Sequence, residues 1–501
     1  MYRIRTTKTS SGAVAVQVVE YKKNCRKILL HVGSSKDSSE VEWLKQIGLK
    51  WIEENNPQRF LFSLVPAKSN STLLSLDKLE YRGFSYRLLY ETLSSIATIF
   101  KYHLIPESLI LNDLVITRIT KPCSKSESFE FMRDYFDVSH SRRDFYRVLN
   151  NFSVWRDDAL KRTISVAKKH FGFSFSFVFY DLTTLYFESF ETDDLRKVGF
   201  SKDNKSANPQ IMIGLMVDDN GFPVYYQVFP GNKFEGHTLM PSLLNIKKQY
   251  NIESMTVVAD AAMISDANVE FLRKEKLNYI VAARSAAIPI EIIETVAETL
   301  NHEDGATMRI STESKGILVF QFDHARFRKE RREMEKQLAR AEEILKTPSK
   351  VEIIKRSKFL KGKQSNYELN QKLIKKTKTL LGIKAYYTSR DDLSDQEIIK
   401  NYRQLWNVEK SFRISKSDLK ARPIFHSKEQ SIEVHILICF MALAISKYIE
   451  IKTSRSIKAV IKELSQITDA KLHNQISKKN IIIRQNKNPE IQKILNSLSP
   501  H

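Results

Sequence analysis

The chain has 501 residues, 42% of them hydrophobic, and a formal net charge of +22. The hydrophobic fraction is ample for a buried core and excludes a disordered polymer. A positive charge of this size favours a polyanionic partner, most often nucleic acid and occasionally an anionic membrane surface. The alternative is a basic housekeeping protein from an organism whose proteins generally have a high pI.

The N-terminal segment predicts a hairpin and a helix. Residues 13–33 alternate apolar and polar side chains around a Lys-Lys-Asn turn, as in a β-hairpin. Residues 39–55 have the spacing of an amphipathic helix, and no apolar signal peptide precedes them. Because Cys25, Cys123 and Cys439 form no Cys-x-x-Cys pair, they disfavour a disulfide framework or a zinc knuckle and suit a reducing cytoplasm.

From about residue 75 to 170 the pattern is helical and basic. Within it, residues 126–152 predict two helices joined by a short turn, the second capped by Ser139 or Ser141. Three arginines of the second helix are candidates for DNA contacts in a helix-turn-helix: Arg142, Arg143 and Arg147. The alternative, which this stretch alone favours, is an ordinary helical hairpin with a solvated basic face.

Near residue 173 the pattern changes to alternating strands and helices. Over residues 173–284 the order is three strands, helix, strand, helix, strand, with Asn220-Gly221 as the hairpin signal between the second and third strands. A hairpin-linked triplet followed by crossover units predicts a mixed sheet with helices on both faces. Ser265 or Asp266 is expected to cap the second helix.

This pattern then breaks off for about 100 residues. Residues 325–346 predict a highly charged helix, and the stretch 350–378 has ten Lys or Arg against two acids, typical of a basic surface or of a solvated charge run. A strand over 382–389 and a long helix over 394–419 follow. The longest apolar run, 436–445, is shorter than the roughly 18–20 residues that span a bilayer, and it predicts a buried core helix.

Two acids lie within or at the end of apolar strands. Asp181 follows the run Phe-Val-Phe-Tyr, and Asp260 follows Thr-Val-Val-Ala. Burying an unpaired carboxylate is costly, and ligands gather at strand ends in sheets with crossover helices. On neighbouring strands the two carboxylates would lie close together and would share a proton or bind a hard cation such as Mg²⁺. The alternative is two separate strand-end caps.

A third acid lies on the long helix. Tyr402, Glu409 and Lys416 are spaced by seven residues and therefore share a helical face. Trp406 and Arg413 are three and four residues from Glu409. The alternative is a solvated helix with a favourable Glu–Arg spacing. Trp406 is expected to pack in the core, and stacking on a displaced base is its second interpretation.

Four motifs, taken in order, resemble the DDE transposases of bacterial insertion sequences. They are YDLTTLYFES, GFSKDNKSANPQIMIGLMVDDNGFPVYYQVFPGN, VVADAAMIS and YRQLWNVEKSFRISKSDLKARPIFH. The resemblance is to the branch of the insertion sequence 4 superfamily with a Tyr-x2-Arg-x3-Glu-x6-Lys motif, and it covers residues 173–450 strongly. It implies an α/β fold: an RNase H-like core with a mixed sheet and helices on both faces, a β-rich insertion subdomain, and a mostly helical N-terminal DNA-binding region.

By position, the resemblance implies that Asp181, Asp260 and Glu409 are the catalytic acids. They would hold two Mg²⁺ ions, for which Mn²⁺ can substitute, with Asp181 bridging both. The motif's arginine position is Leu405 here, and Arg413 is the preferred substitute. The residues expected to contact DNA are Tyr402, Trp406, Arg413, Lys416, Arg422, Arg142, Arg143 and Arg147.

The implied function is cut-and-paste DNA transposition. The protein would bind terminal inverted repeats, cleave DNA with water as the nucleophile, and join the freed 3′-hydroxyl to target DNA. Its partners would be double-stranded transposon ends and target DNA, bound by a homodimer in the bacterial cytoplasm at the nucleoid, with no membrane. The alternatives are a DNA-binding protein or inactive relic without cleavage, and a metal-dependent nuclease without strand transfer.

The predicted domain boundaries follow the same motifs. The N-terminal helices are expected to read the inverted repeat, and the basic stretch 350–378 is expected to grip flanking duplex with a steep salt dependence. The segments are 1–70 for the N-terminal hairpin and helix, 71–172 for the helical DNA-binding region, 173–284 and 381–450 for the two parts of the core, 285–380 for the insertion subdomain, and 451–501 for a basic C-terminal region.

Overall fold

The structure, a computed structural model, describes most of the chain. The described residues are 2–22, 25–55, 79–106, 108–148, 152–263, 265–284, 288–346, 357–363, 366–475 and 478–499. They form two compact units, each assembled from segments that are distant in sequence. The smaller unit comprises Met1–Tyr90, Asp134–Asp137 and Glu463–Ile491, and the larger unit comprises Glu91–Arg133, Val138–Lys462 and Gln492–His501.

Strands and helices alternate along the described residues. The strands are β1 (Tyr2–Lys8), β2 (Val14–Lys22), β3 (Cys25–Ser35), β4 (Leu79–Ser85), β5 (Phe177–Tyr186), β6 (Gln210–Val217), β7 (Pro223–Pro230), β8 (Thr256–Ala259), β9 (Asn278–Ala282), β10 (Thr307–Thr312), β11 (Gly316–Phe322), β12 (Leu360–Lys363), β13 (Asn366–Leu369), β14 (Ile383–Thr388), β15 (Asp469–Asn474) and β16 (Lys479–Arg484). The helices are α1 (Ser38–Asn55), α2 (Arg87–Ile99), α3 (Leu109–Thr120), α4 (Lys125–Phe131), α5 (Arg142–Val148), α6 (Phe152–Phe171), α7 (Leu239–Tyr250), α8 (Asp266–Lys274), α9 (Ile290–Leu300), α10 (His324–Lys346), α11 (Gln371–Thr379), α12 (Asp395–Arg403), α13 (Trp406–Arg413), α14 (Glu429–Thr453), α15 (Ile457–Leu464) and α16 (Pro489–Leu498).

The smaller unit contains two antiparallel three-stranded sheets. In the first, β2 pairs with both β1 and β3, and Val16 packs with Val41 and Leu44 of α1. This confirms the hairpin and helix predicted for this segment, while the turn residues 23–24 lie outside the described residues. The second sheet, in the order β16-β15-β4, is a correction. It places a strand, β4, at the start of the region predicted to be helical and pairs it with the C-terminal segment predicted only to be basic.

The larger unit is built on an eight-stranded mixed sheet in the order β10-β11-β14-β9-β8-β5-β6-β7. β8 runs parallel to both β5 and β9, and the pairs on either side of these three strands are antiparallel. The mixed sheet predicted over residues 173–284 is therefore confirmed. β10 and β11, which the sequence pattern did not reveal, extend this sheet beyond β14. Much of the basic stretch 350–378 is described, but residues 350–356 and 364–365 of it are not.

The hairpin between β6 and β7 is fixed by its own turn. β6 is buried at every residue, which explains its unbroken apolar run. The Asp218 carboxylate accepts hydrogen bonds from the N–H groups of Asn220 and Phe222 at 2.9 and 2.7 Å. Gly221 follows with φ +76°, in the left-handed region that glycine adopts without strain. The predicted Asn-Gly turn is therefore present, and two of its carbonyl groups accept hydrogen bonds from α13.

One helix among the described residues, α14, is long and apolar enough to cross a membrane by length and composition alone. It has 25 residues, considerably more than the run 436–445 that the apolar pattern revealed, and 94% of its most apolar window is buried inside the protein. This burial agrees with the predicted core helix.

Candidate active site

Asp181 lies within β5 and is half-buried. Its Oδ1 accepts a hydrogen bond from the Leu182 N–H at 2.7 Å, and Lys202 Nζ lies 3.7 Å from the same oxygen. Burial raises the pKa of the Asp181 carboxyl to about 6, against the lowering effect of Lys202 and the Leu182 N–H. The negative charges of Asp260 and Glu409 raise this pKa further. The carboxylate thus has partners inside the protein and is also repelled by two other acids.

Asp260 lies beside Asp181 because of strand register. β8 is parallel to β5, and its last residue, Ala259, pairs with Tyr180. The next residue on each chain is one of the two acids, and neighbouring strands are about 4.8 Å apart. Asp260 is exposed, and its Oδ1 accepts a hydrogen bond from the Ala261 N–H at 2.6 Å. The two acids therefore form one group and are not separate strand-end caps.

Glu409 approaches this group on α13. The prediction of one long helix over 394–419 is wrong. The structure divides it into α12, which ends at Arg403, α13, which begins at Trp406, and a π-helical turn over Ile414–Asp418. The sequence did not reveal these breaks because the stretch contains neither glycine nor proline, the usual helix breakers.

Two hydrogen bonds dock α13 onto the β6–β7 turn. Asn407 Nδ2 donates to the Asp219 carbonyl at 2.7 Å, and Ser411 Oγ donates to the Gly221 carbonyl at 2.7 Å. Glu409 lies between these two anchors in sequence and is exposed. Because β6 pairs with β5 along the whole length that carries Asp181, the docked helix presents Glu409 to the two aspartates.

Tyr402 lies close to the three acids but is buried. Burial raises the pKa of its hydroxyl, and the charges of Asp260, Asp181 and Glu409 raise it further. Its ring centroid is 4.8 Å from that of Tyr386, and Lys384 Nζ lies 4.5 Å from its centroid. Tyr402 is therefore a packed neighbour of the acids.

Two basic side chains predicted to contact DNA share one carboxylate. Lys416 Nζ lies 3.2 Å from both carboxylate oxygens of Asp203, and Arg422 Nη1 lies 3.2 Å from Oδ2. The Arg422 guanidinium also lies 5.7 Å from the ring centroid of Tyr186, the last residue of β5. Burial lowers the pKa of the Lys416 ammonium, against the raising effect of Asp203. The bases thus gather beside the strand that carries Asp181.

A family profile described as the transposase DDE domain matches residues 173–445, which is 273 of the 501 residues. The chain belongs to this family. The resemblance to DDE transposases is thereby confirmed at the level of the family, and the matched range contains all three acids. No curated protein matches the chain.

Among solved structures, this transposase is similar to a piggyBac transposase in a cryo-EM structure of its synaptic complex with hairpin DNA. The sequence identity is 13%, and the match covers 76% of this chain and 78% of that chain with a TM-score of 0.40. At this level the likeness gives no information on mechanism.

The acids of this transposase suit a hard cation by their chemistry. Asp181, Asp260 and Glu409 offer only oxygen donors, and two of them repel the charge of the third, an imbalance that a divalent cation would relieve. In the described part of the chain, no three His, Cys, Asp or Glu side chains converge as a ready-made metal site. A cation bound here would therefore have to draw the carboxylates toward itself.

The two other predicted DNA contacts on α13 are both exposed. Trp406 is 56% exposed, with Lys410 Nζ 5.9 Å from its ring centroid, so the expectation that it packs in the core is wrong. Arg413 is exposed in the last turn of α13. Leu405 is buried, which explains why an apolar residue is tolerated at the motif's arginine position.

The helices predicted to form a helix-turn-helix, α4 and α5, are present, and Ser141 is the cap of the second, accepting from the Asp144 N–H at 3.1 Å. Arg142 and Arg143 are exposed, and Arg142 donates to Ser126. The side chain of Arg147 lies outside the described residues.

Sequence reasoning missed three charged residues of the site. Lys202 and Asp203 lie in the segment between β5 and β6, which contains no regular element, and Glu235 lies in a short 3-10 helix after β7. The available signal was the adjacent pair of opposite charges in the motif GFSKDNKSANPQIM.

Proposed function

We propose that this transposase cleaves DNA at the ends of a bacterial insertion sequence and joins the freed 3′-ends to target DNA. The observation that carries the proposal is that strand register and the docking of α13 bring Asp181, Asp260 and Glu409, which are separated in sequence, near one another. The part of the chain that contains these residues matches the transposase DDE domain. The order of the five core strands, β7-β6-β5-β8-β9, supports an RNase H-like core.

Each group in the site has a role in this chemistry. Divalent cations held by Asp181, Asp260 and Glu409, two Mg²⁺ ions or Mn²⁺ in their place, would supply activated oxygen nucleophiles and stabilisation of the leaving oxygen. Tyr402, which packs on Tyr386 near these acids, would restrict their motion. Lys416 and Arg422 bind phosphate oxygens, and Trp406, Arg413 and the arginines of α5 contact flanking DNA.

The same proposal covers assembly and location. Two element ends must be cut together, so we propose a homodimer on DNA, acting on terminal inverted repeats in the cytoplasm at the nucleoid. The excess of basic residues supports a DNA partner. The presence of all three acids disfavours an inactive relic that only binds DNA.

Incubation with duplexes carrying the element ends and Mg²⁺ tests the function. Nicking at the element boundary that requires the metal is the expected result, and joining of the 3′-end to a second duplex distinguishes transposition from simple nuclease activity. Binding without metal-dependent nicking would overturn the enzyme proposal. Nicking without joining would favour the nuclease.

A further inference from the structure

Lys202 is the cation that the structure places against the acids. Its Nζ donates to the Leu182 carbonyl at 2.7 Å and lies 3.7 Å from Asp181 Oδ1. The same atom lies 3.3 Å from Glu235 Oε1. The ammonium therefore bridges two carboxylates from different elements, and its side chain is 31% exposed.

The backbone on either side of this side chain is fixed. The Lys202 N–H donates to Thr184 Oγ1 of β5 at 3.1 Å. Ser201 Oγ accepts from the N–H groups of Asp203 and Lys205 at 3.3 and 3.1 Å. The next side chain, Asp203, is held by Lys416 and Arg422 as described above. The ammonium can therefore move by rotation of the Lys202 side chain while the backbone stays in place.

Glu235 is the second carboxylate beside the ammonium. It begins the 3-10 helix Glu235–His237, and the carbonyl of the next residue, Gly236, accepts from Asn268 Nδ2 at 2.9 Å. The Glu235 carbonyl accepts from Thr238 Oγ1 at 2.7 Å. The Glu235 carboxylate is therefore presented to this ammonium by a fixed turn.

We propose that Lys202 is a further residue of the active site that changes partner during the reaction. In the DNA-free protein its ammonium pairs with Asp181 and Glu235. A divalent cation and an ammonium repel one another at a shared carboxylate oxygen, so cation binding displaces Lys202 from Asp181. The displaced ammonium then contacts the scissile phosphate, with which it forms a charge-assisted hydrogen bond. This inference rests on the proposed function.

Cation binding without DNA tests the first half of the proposal. Free Mn²⁺ is titrated by electron paramagnetic resonance against the wild type, Lys202→Met and Lys205→Met. Methionine keeps the apolar length of the side chain and removes the charge. Lys205 is the matched control, since it lies in the same segment and its Nζ lies 5.5 Å from the ring centroid of Tyr186. Loss of the competing ammonium should tighten Mn²⁺ binding roughly fivefold in Lys202→Met, whereas Lys205→Met should stay within about twofold of wild type.

DNA cleavage tests the second half. Lys202→Met should nick the element end at least roughly tenfold more slowly than Lys205→Met at saturating Mn²⁺, because the phosphate has lost a contact. Mn²⁺ binding that is equal in the two variants, or weaker in Lys202→Met, would overturn the proposal. The proposal is also wrong if neither wild type nor Lys202→Met binds Mn²⁺ without DNA, or if Lys202→Met nicks at the control rate.

Failure of this inference is distinguishable from failure of the proposed function. If Asp181→Asn abolishes Mn²⁺ binding and wild type nicks DNA, the function stands whatever Lys202→Met does. If wild type never nicks in the presence of Mg²⁺ or Mn²⁺, the function itself is wrong.

Discussion

The acidic and basic sides of the candidate site differ in how their charges are balanced. On the acidic side, Asp181, Asp260 and Glu409 repel one another, and Lys202 compensates Asp181 only in part. On the basic side, Lys416 and Arg422 share the single carboxylate of Asp203. The acidic side therefore has too little positive charge, and the basic side has too little negative charge. Both sides lie along β5. The comparison indicates a divalent cation on the first side and a phosphate on the second.

The largest expected effect would come from removing a charge on the acidic side. Asp181→Asn should lower the nicking rate by at least roughly a thousandfold, because the cation loses its central ligand, while transposon-end binding stays within about twofold. Cleavage and gel-shift assays measure the two effects. Asp194→Asn, an exposed acid paired with Lys197, is the control. If Asp181→Asn loses DNA binding together with cleavage, the roles of the acidic and basic sides cannot be separated, and Asp181 is a structural residue.

A second effect concerns stability. Because the pKa of Asp181 is raised from 3.8 to about 6, the folded protein binds this proton more tightly than the unfolded chain, and the contribution of Asp181 to the free energy of unfolding falls as pH rises from about 4 to 6. The asparagine of Asp181→Asn cannot ionise. The free energy of unfolding of this variant minus that of wild type should therefore be larger above pH 6 than below pH 4, by up to about 3 kcal/mol. Urea unfolding across this pH range, without divalent cations, measures the change. A difference independent of pH would contradict the raised pKa of Asp181.

A smaller effect is expected on the basic side. Lys416→Met should weaken DNA binding roughly fivefold to tenfold near 0.1 M salt, because one phosphate contact is lost. For the same reason, the slope of log affinity against log salt concentration should become less negative by about one. Fluorescence anisotropy over a salt series measures both quantities. Lys45→Met, which removes a lysine paired with Glu42 on α1 of the smaller unit, is the control. An unchanged salt slope would show that Lys416 serves only to pair with Asp203.

The smallest effect is expected for an aromatic residue near the acidic side. Trp406→Ala should change the free energy of unfolding by less than about 1 kcal/mol, because the ring is already 56% exposed. Trp155→Ala, at a tryptophan that is fully buried, should cost about 3–5 kcal/mol. Thermal unfolding compares the two. A similar loss of stability in both variants would show that Trp406 packs in the core.

The proximity of the two aspartates could be predicted from the sequence because a carboxylate within or at the end of an apolar strand is a local signal. Asp181 and Asp260 each follow an unbroken apolar run, and parallel register then determines their proximity. Lys202 and Asp203 could not be placed in this way, because an irregular segment carries no periodicity that fixes its neighbours.

In two regions the fold was mispredicted because no local sequence signal marks the structure. β4 is short, contains Glu80 and Arg82, and pairs with β15 almost 400 residues later in the chain, so no local pattern reveals it. The division between α12 and α13 is a tightened turn at Leu405, where the N–H bonds to the carbonyl three residues back, and no breaker residue marks it.

The docking of α13 on the hairpin turn also sets the order in which the site is completed during translation. Asp181 and Asp260 leave the ribosome early, but Glu409 follows Asp181 by 228 residues (409 − 181) and reaches them only when Asn407 and Ser411 bind the carbonyls of Asp219 and Gly221. A nascent or truncated chain that ends before residue 407 has both aspartates and much of the sheet but lacks the third acid and the side chains that dock it. Under the proposed function, such a chain would lack one of the three cation ligands, so DNA cleavage would require synthesis past the docking helix.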